Sequence, residues 1–333
     1  MPYSKIVGLG HHVPEGVITN EYLSTVMDTN NEWIIERTGI RERRWMDPAK
    51  DTVANMAAKA TRMALNRANL AEKDIDFIVF ATITPDYFFP GSGVLLQREL
   101  GLENIPALDI RNACSGFIYA LSVADQFIKT GMYKTILVVG AEIQSTALDI
   151  STRGRNTAVI FGDGAGVAIL QPTEKPGVLS THLHSDGKFA EELYVKDPGS
   201  SRPHKERQPE QITDTSTFKV VMNGNQVFKH AVVRFMEVIN EALQANNLKK
   251  EEINLLVPHQ ANLRISQYIQ EKLALTDSQV YNNIMRYGNT TAASIPIAMS
   301  EAWQEGKIKP NDLVCLAAFG SGFTWASALI RWQ

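Results

Sequence analysis

Apolar residues recur three and four positions apart in two long segments of the chain, residues 52–68 and 228–245. This spacing predicts two amphipathic helices, each with one apolar face. Each helix leads through a short polar turn into an unbroken run of apolar residues. Runs without polar alternation are typical of strands that helices cover on both faces.

The two helix–strand units repeat each other. Residues 69–79, NLAEKDIDFIV, match residues 247–257, NLKKEEINLLV, position for position in character. Further along, FGDGAG at 161–166 runs into the apolar segment VAIL, and FGSGFT at 319–324 runs into WASALI. The same elements therefore recur in the same order, which indicates an internal duplication.

The duplication predicts an α/β protein of two similar halves, residues 1–172 and 173–333. We expect them to pack as five layers in the order α/β/α/β/α, with a functional site where the halves meet. Two unrelated Rossmann-like domains are the alternative, although the ordered matches favour duplication.

Residues 196–217 are polar, rich in proline and without periodicity. A loop of this length in a compact domain is typical of a binding loop or of a surface insertion. We therefore predict either the rim of a substrate entrance or a surface insertion in this region.

Composition narrows the class of protein. The chain has 333 residues, of which 44% are hydrophobic and 21% are charged, enough to bury a large core. A formal net charge of -3 disfavours a nucleic-acid binder, because phosphate neutralisation needs an excess of Lys and Arg. We see neither a secretory signal nor an apolar run long enough for a membrane span, so we expect a cytoplasmic protein.

The two cysteines, Cys114 and Cys315, have different settings. Neither lies in a pattern with metal-ligand spacing, so we expect neither a metal site nor a disulfide framework. Cys315 lies in the apolar run DLVCLAAF and is interpreted as an inert buried residue. Cys114 lies at a predicted strand-to-helix turn, where backbone N–H groups and the helix dipole favour a thiolate. Taken alone, a cysteine at such a turn is more often structural.

Two polar residues strengthen the case for Cys114. His259 ends the second copy of the duplicated strand and is expected to point towards a cleft at that edge. Asn289 lies in a glycine-containing turn, YGNTT, before a predicted helix. Each residue alone would be interpreted as structural, but together with Cys114 they suggest nucleophilic chemistry.

These residues occur within longer motifs: HQANLR around His259, YGNTTAASIP around Asn289, the segment IFGDGAG, the opening EWIIERTGIRER and the ending FGSGFTWASALIRW. Together with Cys114 they closely resemble the β-ketoacyl-acyl carrier protein synthase III family. The resemblance spans nearly the whole chain and implies a thiolase-like fold. It implies an acyltransferase that condenses an acyl-CoA primer with malonyl-acyl carrier protein and so initiates fatty acid synthesis. It also implies a homodimer, with no metal or redox cofactor.

The resemblance assigns roles to four residues. Cys114 would accept the acyl group and form a covalent intermediate. His259 and Asn289 would donate hydrogen bonds to the enolate oxygen that forms when malonyl-acyl carrier protein loses carbon dioxide. The backbone N–H groups of Cys114 and Ser321 would form a second oxyanion site. Ser321 stands where the family usually carries glycine.

The resemblance also implies substrate contacts. The residues that match CoA contacts are Trp33, Arg37, Thr38, Arg155, Asn225 and Ala261. Phe89 matches an acyl-pocket residue that reaches across the homodimer interface in relatives. Arg264 matches a contact for acyl carrier protein, although its helix adds only Lys272 as a further cation and also carries Glu271.

Other functions stay open or are disfavoured. A related enzyme of secondary metabolism, using medium or long acyl chains, would keep the same three catalytic residues. A non-catalytic acyl-binding subunit should have lost one of them. A thiolase needs a second catalytic cysteine where this chain has FGSG, and IFGDGAG does not form the GxGxxG pattern of a nucleotide-dependent dehydrogenase.

Overall fold

The computed structural model describes residues 2–200 and 215–333, so the larger part of the polar segment 196–217 lies outside the described residues. The strands are β1 Tyr3–His12, β2 Gly16–Thr19, β3 Glu42–Trp45, β4 Phe77–Ala81, β5 Ala107–Ile110, β6 Ile136–Glu142, β7 Gly164–Thr173, β8 Val178–Ser185, β9 Leu193–Tyr194, β10 Val221–Met222, β11 Leu255–Pro258, β12 Leu313–Gly320 and β13 Thr324–Arg331. The α-helices are α1 Asn20–Val26, α2 Asn31–Thr38, α3 Val53–Ala68, α4 Ser92–Glu99, α5 Gly116–Lys129, α6 Arg155–Ala158, α7 Gly224–Ala245, α8 Leu263–Leu273, α9 Ile284–Tyr287 and α10 Ser294–Gln304.

The first large sheet has the strand order β1-β7-β6-β4-β5. Strands β1, β7 and β6 are antiparallel neighbours, whereas β6, β4 and β5 run parallel. Along β4, Phe77 and Val79 pack on the side of α5, while Ile78 and Phe80 pack on the side of α3. Burial on both faces explains why this strand is apolar throughout.

The second large sheet has the order β11-β12-β13-β8. Strands β8, β13 and β12 are antiparallel neighbours, and β12 runs parallel to β11. On the far side of β11, Leu256 and Val280 form a parallel bridge. Val280 thus takes the position beside β11 that β5 takes beside β4 in the first sheet. The two sheets therefore share strand order and direction.

The repeated Asn-Leu pair ends two corresponding helices, α3 in the first half and α7 in the second. Asn69 and Asn247 both follow their helices with a φ of 54°, in the left-handed region that Asn tolerates better than most residues. In both cases the N–H of the next leucine donates to a leucine carbonyl five residues earlier, at 2.9 Å. The repeat in sequence is therefore a repeated helix stop.

Helices separate and cover the two sheets. Helices α3 and α4 pack on the outer face of the first sheet, and α7 with α8 covers the outer face of the second. Helices α5 and α10 lie between the sheets and contribute to one central apolar core. The predicted α/β/α/β/α architecture is confirmed.

Candidate active site

Cys114 lies in a single 3-10 turn, Ala113–Ser115, between β5 and α5. The preceding Ala113 has a φ of 45°, a left-handed conformation that is costly for alanine and is often found at functional sites. The end of β12 lies directly against this turn: a Cβ added at Gly320 would lie 2.7 Å from the Cβ of Cys114. Glycine is therefore required for the close approach of the two segments.

The pKa of the Cys114 thiol reflects opposing effects. Hydrogen bonds from the backbone N–H groups of Cys114 and Ser321 lower it, but burial and, next, the charge of Glu142 raise it to about 12. Burial therefore opposes the thiolate that the N–H donors of this turn favour. The two donors on the sulfur are nevertheless those that the resemblance names for the second oxyanion site.

Ser321 replaces the family's usual glycine without a left-handed backbone. The positive φ in this turn belongs to Gly322, at 131°, rather than to Ser321. The side chain of Ser321 instead makes a contact that glycine lacks, since its hydroxyl donates to the carbonyl of Leu193.

His259 directly follows β11, and its backbone N–H donates to the carbonyl of Ala317 in β12 at 2.8 Å. Its ring Nδ1 lies 2.6 Å from the hydroxyl oxygen of Ser294, at the start of α10. The other ring nitrogen, Nε2, is buried and has no hydrogen-bond partner within the described part of the chain. Burial lowers the pKa of His259 to about 3, so the imidazole is neutral.

Asn289 follows Gly288, whose φ of 66° turns the chain after α9. The Asn289 backbone pairs with Phe161 in an isolated parallel bridge. Its side-chain oxygen accepts a hydrogen bond from the N–H of Thr291 at 2.9 Å. This contact fixes the carboxamide so that its NH₂ group is the end available to a ligand.

The three candidate residues lie where the carboxyl ends of parallel strands in the two large sheets meet. Cys114 follows β5, and His259 follows β11, whose neighbour β12 ends against Cys114. The turn Thr291–Ala293, which comes directly after Asn289 and Thr290, contacts the Cys114 turn. Carboxyl ends of parallel strands are where α/β proteins commonly bind ligands.

A cavity of about 970 Å³ opens beside Cys114. Its wall includes Cys114, Thr291 and Ser321, the segment 83–88 and the segment 193–199. His259 and Asn289 do not contribute to this wall and are both buried. Residues 196–199 therefore border the cavity, whereas the predictions for 201–214 fall outside the described residues.

Glu142, which the sequence analysis missed, is fully buried at the end of β6. It accepts hydrogen bonds from the hydroxyls of Thr82, at 3.1 Å, and Thr84, at 2.5 Å, and from the backbone N–H groups of Ile83 and Ala292. Burial raises its pKa to about 7. A single acid at the end of the apolar run ILVVGAE was the available signal.

Three of the predicted CoA contacts lie together on the surface of the first half. The guanidinium of Arg37 lies 4.4 Å from the ring centroid of Trp33, and that of Arg155 lies 5.3 Å from it. Thr38 is different: it is buried, its hydroxyl donates to Ile34 at 2.6 Å and it accepts from the N–H of Ile40 at 3.0 Å. Its hydroxyl is thus already engaged at the end of α2.

The other two predicted CoA contacts and the predicted carrier contact lie at the starts of α7 and α8. Asn225 is exposed in the first turn of α7, and Ala261 is half-buried two residues after His259. Arg264 is exposed, with its guanidinium 5.8 Å from the ring of Phe228. None of these three residues lines the cavity.

Phe89 is 81% exposed on the loop between β4 and α4. It does not line the cavity, although its neighbours Tyr87 and Phe88 do. The structure therefore places this predicted acyl-pocket residue outside the pocket of its own chain.

No helix within residues 2–200 and 215–333 has the length and apolar character that a membrane crossing needs. The same residues hold no group of three or more His, Cys, Asp or Glu side chains arranged to bind a metal ion.

Comparison with known proteins gives matches along the chain. Residues 108–187 match the family model described as 3-oxoacyl-[acyl-carrier-protein (ACP)] synthase III, and residues 243–332 match the model of its C-terminal region. The first match contains Cys114, and the second contains His259, Asn289 and Ser321.

Full-length relatives agree with these matches. The chain is 46% identical over 329 residues to beta-ketoacyl-[acyl-carrier-protein] synthase III of Serratia proteamaculans, covering 99% of both chains. It is similar to the crystal structure of 3-oxoacyl-[acyl-carrier-protein] synthase III from Aquifex aeolicus, with a TM-score of 0.90, 42% identity and coverage of 99% and 100%. It is also similar to the priming β-ketosynthase of the R1128 polyketide pathway, with a TM-score of 0.90, 30% identity and coverage of 100% and 97%. The resemblance seen in the motifs is confirmed: the chain belongs to the β-ketoacyl-acyl carrier protein synthase III family and has its thiolase-like fold.

Proposed function

We propose that this chain is an acyltransferase that moves the acyl group of an acyl-CoA primer to Cys114 and condenses it with malonyl-acyl carrier protein. This decarboxylative condensation would initiate fatty acid synthesis. The observation that carries the proposal is the Cys114 sulfur in a cavity wall, with two backbone N–H donors directed at it. The names of the full-length relatives support the same reaction.

In the first step, the sulfur of Cys114 attacks the thioester carbon of the acyl-CoA. Negative charge develops on the thioester oxygen, and the N–H groups of Cys114 and Ser321 stabilise it. Because the pKa of the thiol is raised to about 12, its proton leaves as the carbon–sulfur bond forms. The CoA sulfur leaves and takes up a proton, so that an acyl-enzyme and free CoA result.

In the second step, the malonyl group loses carbon dioxide and its thioester becomes an enolate. If Ser294 donates to Nδ1 of His259, the ring proton lies on Nε2, the nitrogen without a partner in the described chain. His259 and the NH₂ group of Asn289 then donate to the enolate oxygen. The enolate carbon attacks the acyl carbon and the bond from that carbon to the Cys114 sulfur breaks. The sulfur takes up a proton from water, so that β-ketoacyl-acyl carrier protein and the free thiol result.

The neutral state of His259 suits this second role. An imidazolium would transfer its proton and quench the carbanion, but burial lowers its pKa to about 3, so this acidic form is absent at neutral pH. The neutral imidazole is a very weak acid and therefore only donates a hydrogen bond through its N–H. Donation without proton transfer leaves the enolate carbon free to attack the acyl group.

Substrate binding is proposed on the basis of the family resemblance. Trp33, Arg37 and Arg155 are arranged so that an indole and two guanidinium groups could hold the adenine and phosphates of CoA. We assign Thr38, Asn225 and Ala261 as further CoA contacts and Arg264 as a contact for acyl carrier protein. In the proposed homodimer, Phe89 reaches the acyl pocket of the partner subunit.

Acyl loading tests the proposal. Purified protein is incubated with acetyl-, octanoyl- and longer acyl-CoAs, and the intact protein is weighed. We expect acetyl-CoA to add the mass of one acetyl group. Loading by the longer chains alone would contradict an initiating synthase.

A second candidate function is a condensing enzyme of secondary metabolism that uses medium or long acyl chains. One observation favours keeping it: the similarity to a priming β-ketosynthase of a polyketide pathway. The same loading experiment separates the two functions, because this candidate requires octanoyl or longer groups to load faster than acetyl.

A further inference from the structure

A row of hydroxyl groups joins the two backbone segments that meet at Cys114. The Ser115 hydroxyl is fully buried, lies 2.7 Å from the Thr324 hydroxyl and donates to the carbonyl of Asn112 at 2.9 Å. The Thr324 hydroxyl lies 3.0 Å from the carbonyl oxygen of Ser321. The nucleophile turn and the turn that carries the Ser321 N–H are thus held together by side chains from both.

Ser321 extends this connection to the wall of the cavity. Its hydroxyl donates to the carbonyl of Leu193, and Leu193 and Tyr194 both line the cavity. These two residues form β9, which pairs only with the two-residue strand β10 among the described residues. Because β9 pairs through only two residues, the position of this part of the cavity wall also depends on contacts outside the β9–β10 pair, such as the Ser321 hydrogen bond.

The segment before β9, residues 186–192, is also bonded to the turn that contains Ser321 and Phe323. Asp186 and Phe323 exchange backbone hydrogen bonds of 2.8 and 2.9 Å. The ring of Phe189 stacks on that of Phe323, with centroids 5.3 Å apart. Residues 186–194 are therefore fixed at both ends to the turn that contains Ser321.

We propose that Ser321 is a positioning residue that couples the cavity wall to the oxyanion donor, so that its hydroxyl limits the length of acyl group that loads onto Cys114. This inference rests on the proposed function. An acyl group bound to the sulfur lies against Leu193, and a long one must displace β9. Because Leu193 is bonded to Ser321, that displacement also moves the Ser321 N–H away from the developing oxyanion and slows acylation.

Acylation rates in matched variants test this coupling. We would measure rapid-quench loading of Cys114 by acetyl-CoA and by octanoyl-CoA in the wild type, Ser321→Ala and Ser115→Ala, and compare the octanoyl-to-acetyl rate ratio. Losing one hydrogen bond corresponds to a change of about three- to tenfold. We expect Ser321→Ala to raise the ratio by that factor, because β9 can then retreat without moving the N–H donor.

Ser115→Ala is the matched control, since it removes a hydroxyl that joins the two turns but does not reach the wall. It should slow both acyl donors and leave the ratio within twofold of the wild type. An unchanged ratio in Ser321→Ala, or an equal rise in Ser115→Ala, would overturn the coupling. If Ser321→Ala fails to fold, Ser321→Gly, with the residue usual in the family, is measured in the same way.

Failure of the proposed function gives a different result. A wild type that loads neither acyl-CoA refutes the proposed function. The part of the coupling that concerns the wall is then read from the alkylation of Cys114 by iodoacetamide and by its N-octyl derivative, which forms no oxyanion but still requires β9 to yield to the longer chain. A higher N-octyl-to-parent ratio in Ser321→Ala supports a wall held by the Ser321 hydroxyl, and an unchanged ratio overturns it.

Discussion

At the scale of single residues, the reactivity of Cys114 depends on a balance between nearby groups. Two backbone N–H donors lower the pKa of the thiol, while burial and Glu142 raise it to about 12. Sequence alone could locate this cysteine at a turn before a helix. It could not give the direction of the pKa shift, because Glu142 and the apolar surroundings come from distant parts of the chain.

The first prediction concerns Glu142. Glu142→Gln should lower the pKa of Cys114, because it removes a negative charge that disfavours the thiolate. With a pKa of about 12, the wild-type alkylation rate by iodoacetamide should rise about tenfold per pH unit between pH 8 and 10, where Glu142 is already ionised and only the thiolate reacts. The variant should react several-fold faster at pH 8.

Mass spectrometry of the labelled peptide checks this prediction. Cys315 should stay unlabelled in both proteins, because it is fully buried and, unlike Cys114, does not line the cavity. Identical rate profiles for the wild type and Glu142→Gln would show that the carboxylate has no influence on the sulfur.

The second prediction concerns Ser294, the partner of His259 Nδ1. Ser294→Ala should slow decarboxylation of malonyl-acyl carrier protein about tenfold, because the imidazole loses the contact that fixes its orientation and its tautomer. Acyl loading of Cys114 should change less than twofold. Release of labelled carbon dioxide and intact mass measure the two steps separately.

The matched comparison is His259→Ala, which removes the donor itself. Loss of an oxyanion donor costs about 10²- to 10³-fold, so this variant should decarboxylate more slowly than Ser294→Ala. Equal loss of acyl loading and decarboxylation in Ser294→Ala would argue for a general packing defect instead.

At the scale of elements, the helix stops show what local pattern can predict. The periodic segments 52–68 and 228–245 predicted a helix in each half, and the matched segments 69–79 and 247–257 predicted the turn and the strand that follow it. The structure has all three twice. These features depend on neighbouring residues, so they are visible in sequence. The contacts of Glu142 with Thr82 and of His259 with Ser294 join residues 60 and 35 positions apart, and no local pattern indicates them.

The third prediction tests the helix stop after α7. Asn247 has a φ of 54°, which alanine adopts at a cost. Asn247→Ala should lower the free energy of unfolding by about 1 kcal/mol, whereas Asn247→Gly should be close to neutral. Urea unfolding of both variants measures the difference, and equal destabilisation by both would contradict a role for the left-handed backbone.

At the scale of the whole molecule, duplication explains where the site lies. Two sheets with the same strand order bring the carboxyl ends of β5 and β11 to the same region, where Cys114 and His259 follow them. The motifs predicted the candidate residues of the site, because each motif is continuous in sequence. For the cavity wall formed by residues 193–199, the sequence predicted only that a polar loop begins at residue 196. The position of this wall depends on tertiary contacts with the turn at Ser321, which no local pattern indicates.

The central claim is that Cys114 carries the acyl group. The most direct test incubates the wild type, Cys114→Ala and Cys315→Ala with acetyl-CoA, followed by intact mass and peptide mapping. We predict one acetyl group on Cys114 in the wild type and in Cys315→Ala, and none on a Cys114→Ala protein that unfolds at a similar temperature. Undiminished acetylation of folded Cys114→Ala would contradict the account.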